Sequence, residues 1–397
     1  MNSSKQPDIL PEPPGELKQH SQRLVRKMLA RIEREGSISF AEYMQMALYE
    51  PGLGYYSAGL HKFGPEGDFI TAPEIGDVFA ACLARQVVEV TAETGACNIL
   101  EIGAGSGKLA SQLMSEIEKL DALKNNEPGP RVRSYRILET SADLREVQRH
   151  TIDHQDAWDV TWLDSPPHQP WSGIILANEV VDALPVERFR MVDGEVFQVC
   201  VAAEDSTLKL SQREAPADLE EAVQGLGPLP NGYCSEISLQ LPAWLETITA
   251  GLENGIALFV DYGYPQNEFY LPERRDGTLI AHYRHRAHDR VLRYPGLQDL
   301  TAFVNFSALS EAGGDAGLEL MGYTSQALFL MGSGLDEVVQ DRLSGDAGED
   351  MAVSNQVRQL VLPDLMGEKF QVMAFGRGWP ENKPLRGFSF RDLRNRL

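Results

Sequence analysis

A strand-like run that breaks into three alternating glycines constrains this chain more than any other feature. The segment Asn98-Ile-Leu-Glu-Ile-Gly-Ala-Gly-Ser-Gly-Lys-Leu-Ala110 passes from apolar residues through Gly103, Gly105 and Gly107 into a helical pattern. Glycines at this spacing let a strand turn sharply, bring the backbone close to a ligand and start a helix beside it. The helix N-terminus then offers unpaired N–H groups to a carboxylate or phosphate.

Two phosphate-binding forms of such a loop fail at specific positions. A P-loop needs glycine five residues before the last glycine and Ser or Thr after the lysine; Ile102 and Leu109 stand there. The dinucleotide fingerprint G-x-G-x-x-G needs a glycine where Lys108 stands. What survives is G-x-G-x-G with an acid, Glu101, two residues upstream, the form typical of S-adenosylmethionine (SAM) sites. A glycine-rich turn without a ligand is the plainer alternative. Glu101, Gly103, Ala104, Gly105 and Gly107 are the loop's candidate cofactor residues.

From residue 98 the pattern alternates strand and helix, which predicts an α/β, doubly wound, Rossmann-like sheet. Strands are expected at 98–102, 132–138, 158–162, 173–178 and 255–261, with two more at 325–331 and 370–376 that could pair antiparallel at one sheet edge. Upstream, residues 1–16 read as a disordered lead. Leu17–Glu35 has helical spacing, with Leu24, Met28 and Ile32 on one stripe and Gly36 as its stop. Ser39 is a candidate N-cap for a second helix, and an apolar helix ends near Thr94. Around Asp193-Gly194 two β-rich runs signal a hairpin, an antiparallel insertion continued by the Pro/Gly-rich stretch 215–233 and closed by a helix near Pro242–Leu252. The expected divisions are therefore a lead (1–16), an N-terminal helical region covering the cofactor cleft (17–95), a core (96–185 and 254–378), an insertion (186–253) and a tail (379–397).

Two strand ends carry candidate chemistry. Tyr135-Arg-Ile-Leu-Glu139 closes the second strand of the core, where an acid can accept both hydroxyls of a bound ribose. The polar loop Asp121–Arg131 accounts for its long offset from the glycines. Gly173-Ile-Ile-Leu-Ala-Asn-Glu-Val-Val-Asp-Ala-Leu-Pro185 places Asn178, Glu179 and Asp182 just after an apolar strand, at the ligand-binding edge of such sheets. Helix capping is the competing use of Asn178 and Asp182. No Pro-Pro-aromatic sequence follows Asn178, so a DNA-amino methylation motif is not matched.

Composition narrows the partners. The formal net charge is −22, which counts against nucleic-acid binding and suits a basic substrate or simple solubility. Cys82, Cys97, Cys200 and Cys234 form no C-x-x-C pair, so zinc and dithiol chemistry are not expected. His282-Tyr-Arg-His-Arg-Ala-His-Asp-Arg290 has histidines at a ligand-like spacing, but its interleaved arginines would repel a cation. A basic rim that pairs with the protein's own acids, or docks an acidic partner, is the expected use, and no metal site is expected. No apolar run reaches the roughly 18–20 residues that cross a bilayer, and the polar N-terminus has no secretory core. A cytoplasmic location follows as the default expectation.

Several motifs occur in order: Tyr49–Ser57, Gly67–Glu74, the glycine loop, Asn178–Pro185, Val260-Asp-Tyr-Gly-Tyr264, Tyr294-Pro-Gly-Leu-Gln-Asp-Leu-Thr301 and Met366-Gly-Glu-Lys-Phe370. Together, over roughly 20–378, they resemble the MidA family of class I SAM-dependent methyltransferases, whose mitochondrial members assist assembly of respiratory complex I and methylate a protein arginine. The resemblance implies the seven-stranded class I sheet with an antiparallel insertion and extra N-terminal helices. It also implies SAM as cofactor and a protein substrate presenting an arginine. It hints that Asp68 and Thr71 help close the cofactor cleft. Tyr264 stands where related sequences carry His, and the 280s are unusually rich in His and Arg, which bears on the identity of the substrate.

A guanidinium stays protonated at neutral pH and is best gripped and oriented by carboxylates. Glu179, Asp182 and Glu74 are the acids available in the motif loops, with Glu236 in reserve. Glu179 is the first choice and Asn178 joins the cofactor residues. Glu74 could equally be an acid at a helix start. A small-molecule methyltransferase, or a SAM-binding assembly factor acting as a scaffold, are the rival functions. The insertion and extra helices offer surface for a homodimer.

Overall fold

The computed structural model describes residues 10–58, 71–123, 133–152, 157–380 and 383–397. They fall into two compact units, one drawn from 1–69, 185–238 and 275–302, the other from 70–184, 239–274 and 303–397.

The larger unit is built on a mixed sheet. Its main strands are β1 (Cys97–Ile102), β2 (Arg133–Leu138), β3 (Asp159–Leu163), β4 (Trp171–Asn178), β5 (Leu252–Tyr264), β6 (Glu319–Ser325) and β7 (Phe370–Arg377), in the order β6-β7-β5-β4-β1-β2-β3. An eighth strand of two residues, Val304–Asn305, pairs parallel with the end of β5. β7 runs antiparallel to both its neighbours, and the remaining pairs along the path are parallel. Parallel strands covered on both faces read as continuous apolar runs, and Ile174–Ala177 and Ile256–Val260 are such runs. Their side chains alternate between two cores. Ile174, Leu176, Ile256, Leu258 and Val260 face helices Val78–Thr94 and Lys108–Leu123. Ile175, Ala177, Ala257 and Phe259 face helices Leu241–Thr249 and Phe306–Asp315.

The smaller unit holds helix Gly15–Glu35, with Leu24, Met28 and Ile32 buried, stopped at Gly36 with φ of 80°. Helix Phe40–Tyr49 starts in a capping box: the Glu42 amide donates to Ser39 Oγ at 3.2 Å, and the Ser39 amide donates to Glu42 Oε2 at 2.9 Å. Antiparallel strands Glu187–Val192, Glu195–Glu204, Thr207–Glu214 and Cys234–Ile237 form a sheet with Ile38–Ser39. Its first hairpin turns at Asp193 and Gly194, with φ of 52° and 90°, as a two-residue turn of that hand requires.

Several expected boundaries differ. Residues 325–331 are not a strand: Gln326–Gly332 is a helix that buries Phe329 and Leu330, and the strand precedes it at Glu319–Ser325. A short apolar run looks alike in either state until its packing is known. The first helix begins at Gly15, inside the expected lead, and the stretch 215–233 contains helix Ala217–Gln224. Helix Leu241–Thr249 packs on the sheet rather than with the inserted strands, because Leu241, Leu245 and Ile248 form its apolar stripe. Helix Val78–Thr94 likewise belongs to the sheet's unit, whereas 275–302 belongs to the other. The tail is part of the core through Trp379, Leu385 and Phe388.

Candidate active site

The sheet's connectivity reverses between β1 and β4, so their carboxyl ends flank the switch point where open α/β sheets bind ligands. Register sets what meets there. Ile102 pairs with Leu138 on one side and Ala177 on the other, which puts Gly103 level with Glu139 and Asn178. The Gly103 amide donates to Leu138 O at 3.1 Å, tying the turn to β2.

The three loop glycines adopt φ of 64°, 53° and 81°, a left-handed backbone that side chains resist. Gly107 has a second reason to be glycine: a Cβ there would lie 3.1 Å from the Gln148 Cα. Ala104 is buried between them. Gln148, wholly buried on helix Ala142–Thr151, holds the turn to its neighbours. Its Nε2 donates to Gly105 O at 3.1 Å and to Glu139 Oε2 at 3.2 Å, while Trp162 Nε1 donates to its Oε1 at 2.8 Å. Glu139 Oε1 accepts from the Ser141 amide at 2.8 Å. The sequence offered one faint sign of Gln148, a polar residue four places after Leu144 on the buried stripe of that helix.

Glu101 points away from solvent, 3% exposed, and Tyr135 Oη donates to it at 2.8 Å. Burial pushes its carboxyl up to about 7, with the tyrosine opposing. Glu74 also meets the loop: Ser106 Oγ donates to its Oε1 at 2.6 Å and Lys108 Nζ to its Oε2 at 2.5 Å. Thr71 stands at the N-cap of the short helix Ala72–Ile75, its carbonyl accepting from the Glu74 amide at 2.9 Å. Asp68 lies outside the described residues.

Beyond β4 the chain forms a strap. Glu179 has φ of 54°, a strained value for a residue with a side chain, and its amide donates to Val260 O at 2.9 Å. Asn178 Nδ2 donates to Glu179 Oε1 at 3.3 Å. The turn Val181–Ala183 is held by Asp261, which sequence reasoning did not single out. One carboxylate oxygen, Oδ2, accepts from the amides of Val180, Val181 and Asp182 at 3.2, 2.9 and 3.2 Å, and Oδ1 accepts from the Tyr262 amide at 2.9 Å. Asp182 is buried, with Tyr262 Oη donating to its Oδ2 at 2.5 Å. Burial pushes Asp182 up to about 6, the tyrosine opposing. Burial, reinforced by Asp182 and Glu179, holds Asp261 well above the ordinary range. Among these acids Glu179 is only partly buried. The sequence signal for Asp261 was its place in the motif Val260-Asp-Tyr-Gly-Tyr264, which by itself suggests no role for the acid.

The other expected residues belong to the smaller unit. Glu236 is buried, with Arg188 Nε 3.4 Å from its Oε1 and the Thr278 amide donating to its Oε2 at 2.9 Å. The His/Arg run forms the hairpin Ile280–Tyr283 and Arg286–His288. Burial, then His288, pushes His282 down to about 4. Among the described residues no cluster of three or more His, Cys, Asp or Glu could hold a metal, and no helix is long and apolar enough to cross a membrane.

A glycine turn against a strand-tip carboxylate at the switch point defines a nucleoside-binding α/β enzyme, and comparison with known proteins identifies which kind. The chain belongs to the family described as "Putative S-adenosyl-L-methionine-dependent methyltransferase", whose model matches residues 82–324. It is a SAM-dependent methyltransferase. A crystal structure from Burkholderia thailandensis bound to S-adenosyl-homocysteine is 38% identical, with a TM-score of 0.91, covering 98% of this chain and 100% of that one. The relative named "Protein arginine methyltransferase NDUFAF7, mitochondrial" of Danio rerio is 29% identical over 88% of this chain and 85% of its own length. The human protein of the same name is 28% identical over 88% and 82%. The MidA-family resemblance therefore holds. The cytoplasmic expectation does not, because these relatives are named mitochondrial. Four buried free cysteines fit any reducing compartment and never separated the two.

The residues at the switch point fit SAM. The left-handed glycines put no side chain at three positions of the turn, and a Cβ at 107 would press on Gln148. Glu139 is fixed by Ser141 and Gln148 where a ribose would be read, and each carboxylate oxygen can accept more than one hydrogen bond.

Proposed function

We propose that this enzyme methylates an arginine on a partner protein, with Glu179 gripping the guanidinium. The observation that carries the reading is Glu179 itself: a partly exposed carboxylate in a strained conformation at the tip of β4, beside the glycine turn. The relatives named protein arginine methyltransferases support the choice of acceptor. The seven-strand path corresponds, on this reading, to the class I methyltransferase sheet, and the antiparallel sheet of 187–237 to its insertion. Residues 96–185 and 254–378 supply the catalytic core apart from 275–302.

Gly103, Ala104, Gly105 and Gly107 would hold the amino-acid end of SAM and Glu139 its ribose, with Asn178 beside them. When bound, SAM supplies a methyl group made electrophilic by its sulfonium. Glu179 Oε atoms accept N–H bonds from the guanidinium, fix the plane of the fork and draw charge toward the attacking nitrogen. The proton that nitrogen sheds is stabilised by the same carboxylate before it leaves to solvent. Asp182 and Asp261 keep the strap in place; buried and already bonded, they do not grip the acceptor. Glu74 holds Ser106 and Lys108 and so steadies the glycine turn, and Glu101 is tied to the neighbouring strand through Tyr135.

Transfer of radiolabelled methyl from SAM into mitochondrial protein fractions, followed by amino-acid analysis, tests the acceptor. Label in methylarginine is expected; label only in a small molecule contradicts the reading. In Glu179→Gln, transfer should fall about a hundredfold while S-adenosylhomocysteine affinity changes less than about threefold, since the lost interaction is made to the acceptor alone. Equal loss of both would move Glu179 to the cofactor.

A further inference from the structure

We propose that the smaller unit carries a docking groove for an acidic, leucine-rich segment of a partner protein. The groove encloses about 720 Å³ between helix Gly15–Glu35, the turn into strand Thr207–Glu214 and the loop 289–295. Its apolar surface comes from Val25, Leu29, Leu208, Leu210 and Leu292, and Leu210 is 45% exposed. Large apolar side chains gathered in an open recess with a polar rim mark a site for another surface.

The rim tells which surface. Lys18, Arg26, Arg290 and Arg293 border the groove against a single carboxylate, Asp289. This reverses the sign of a chain whose net charge is −22. Among the described residues Lys18 pairs with Glu12 at the exposed surface, and no carboxylate pairs with Arg26, Arg290 or Arg293. Such cations are available to an acidic partner, and with the Debye length near 8 Å at physiological salt they act locally while the distant acids are screened. A long polyanion would meet the acidic remainder, and its bases would gain little from a leucine floor, so a nucleic acid fits less well.

The loop carrying two of these arginines is itself strained. Tyr294 has φ of 47°, and two residues on Gly296 has φ of 80°, where a Cβ would lie 2.3 Å from Leu53 O. That geometry sets Arg293 over the Tyr294 ring, 4.6 Å from its centroid, with Tyr294 against Tyr283 at 5.5 Å. A strained segment that fixes a cation on an aromatic face at the rim of an apolar recess resembles the preformed anchors of protein interfaces. An amphipathic helix with leucines on one face and glutamates flanking them matches both the floor and the rim.

The test uses the full chain and a fluorescein-labelled amphipathic peptide of leucine and glutamate, about 15 residues long, followed by fluorescence anisotropy. Saturable binding is expected, weakened at least about tenfold between 50 and 300 mM salt as screening grows. It should also weaken at least about tenfold in Arg26→Glu/Arg293→Glu and in Leu210→Asp. A counterpart with lysine for glutamate should bind at least as much more weakly. Unchanged melting and S-adenosylhomocysteine affinity in the variants exclude unfolding as the cause. No saturable binding, or binding indifferent to the charge reversal, overturns the proposal. So does a wild-type dimer in sedimentation that Arg26→Glu separates, which would make a second copy the occupant. Flotation with phosphatidylserine vesicles in place of peptide binding would give the groove to a membrane surface and equally overturn it.

Discussion

Gly107 shows how one missing atom can matter to the proposed cofactor site. Its φ of 81° and the 3.1 Å separation between a hypothetical Cβ and Gln148 Cα make Gly107→Ala doubly unfavourable. The left-handed conformation alone costs about 1–2 kcal/mol, and relieving the contact shifts Gln148, which also holds Gly105 and Glu139. S-adenosylhomocysteine affinity is expected to fall at least about tenfold by calorimetry, with a smaller fall in melting temperature; unaltered affinity would show the turn is not part of the site. Glu101 gives a second, pH-dependent expectation. The folded chain keeps its proton up to about 7, whereas the ordinary value is 4.5. Between those values the native state binds more protons, so stability declines as pH rises through the window and changes no further above it. Glu101→Gln, which can still accept from Tyr135, should flatten that decline by on the order of 3 kcal/mol at most. Other buried carboxyls slope the same way, so the test is the difference between the two denaturation profiles across pH 4.5–7.

At the level of elements, the strap from Glu179 to Ala183 depends on one side chain from the neighbouring strand. Asp261 satisfies three backbone amides that a turn at the end of a parallel strand would otherwise leave without partners, and a fourth on its own strand. Asp261→Ala should destabilise the fold by about 2–4 kcal/mol, read as a shifted denaturant midpoint, and should reduce methyl transfer more than cofactor affinity. A variant as stable and active as wild type would mean the strap holds itself. Contacts of this kind were not legible in the sequence: Val180–Asp182 and Asp261 are about eighty positions apart, and only the parallel register of β4 and β5 brings them together. The central strands were legible because both their faces are covered, which leaves an unbroken apolar signature. β6 was not, since Glu319-Leu-Met-Gly-Tyr-Thr-Ser325 lies near one edge and mixes exposed with buried positions. The apolar run just after it belongs to a helix.

Across the whole molecule, the glycine turn and the acid at 139 are legible in the amino-acid order alone, because each must sit at a strand tip for simple geometric reasons. The way Gln148 and Glu74 brace them, and Asp261 the neighbouring strap, is not, since each works through residues distant in sequence. The division of the chain is only partly legible as well. Helix Leu241–Thr249 follows the inserted strands in sequence but buries its stripe on the sheet, and residues 275–302 leave the sheet's unit altogether.

The central claim is that SAM sits against the turn after β1 with its ribose on Glu139. Calorimetric titration of S-adenosylhomocysteine into wild type and Glu139→Gln tests it most directly. One site per chain is expected in wild type, weakened at least about tenfold in the variant, because an amide can neither carry the charge nor accept at both positions. Equal affinity in the two proteins would contradict the account.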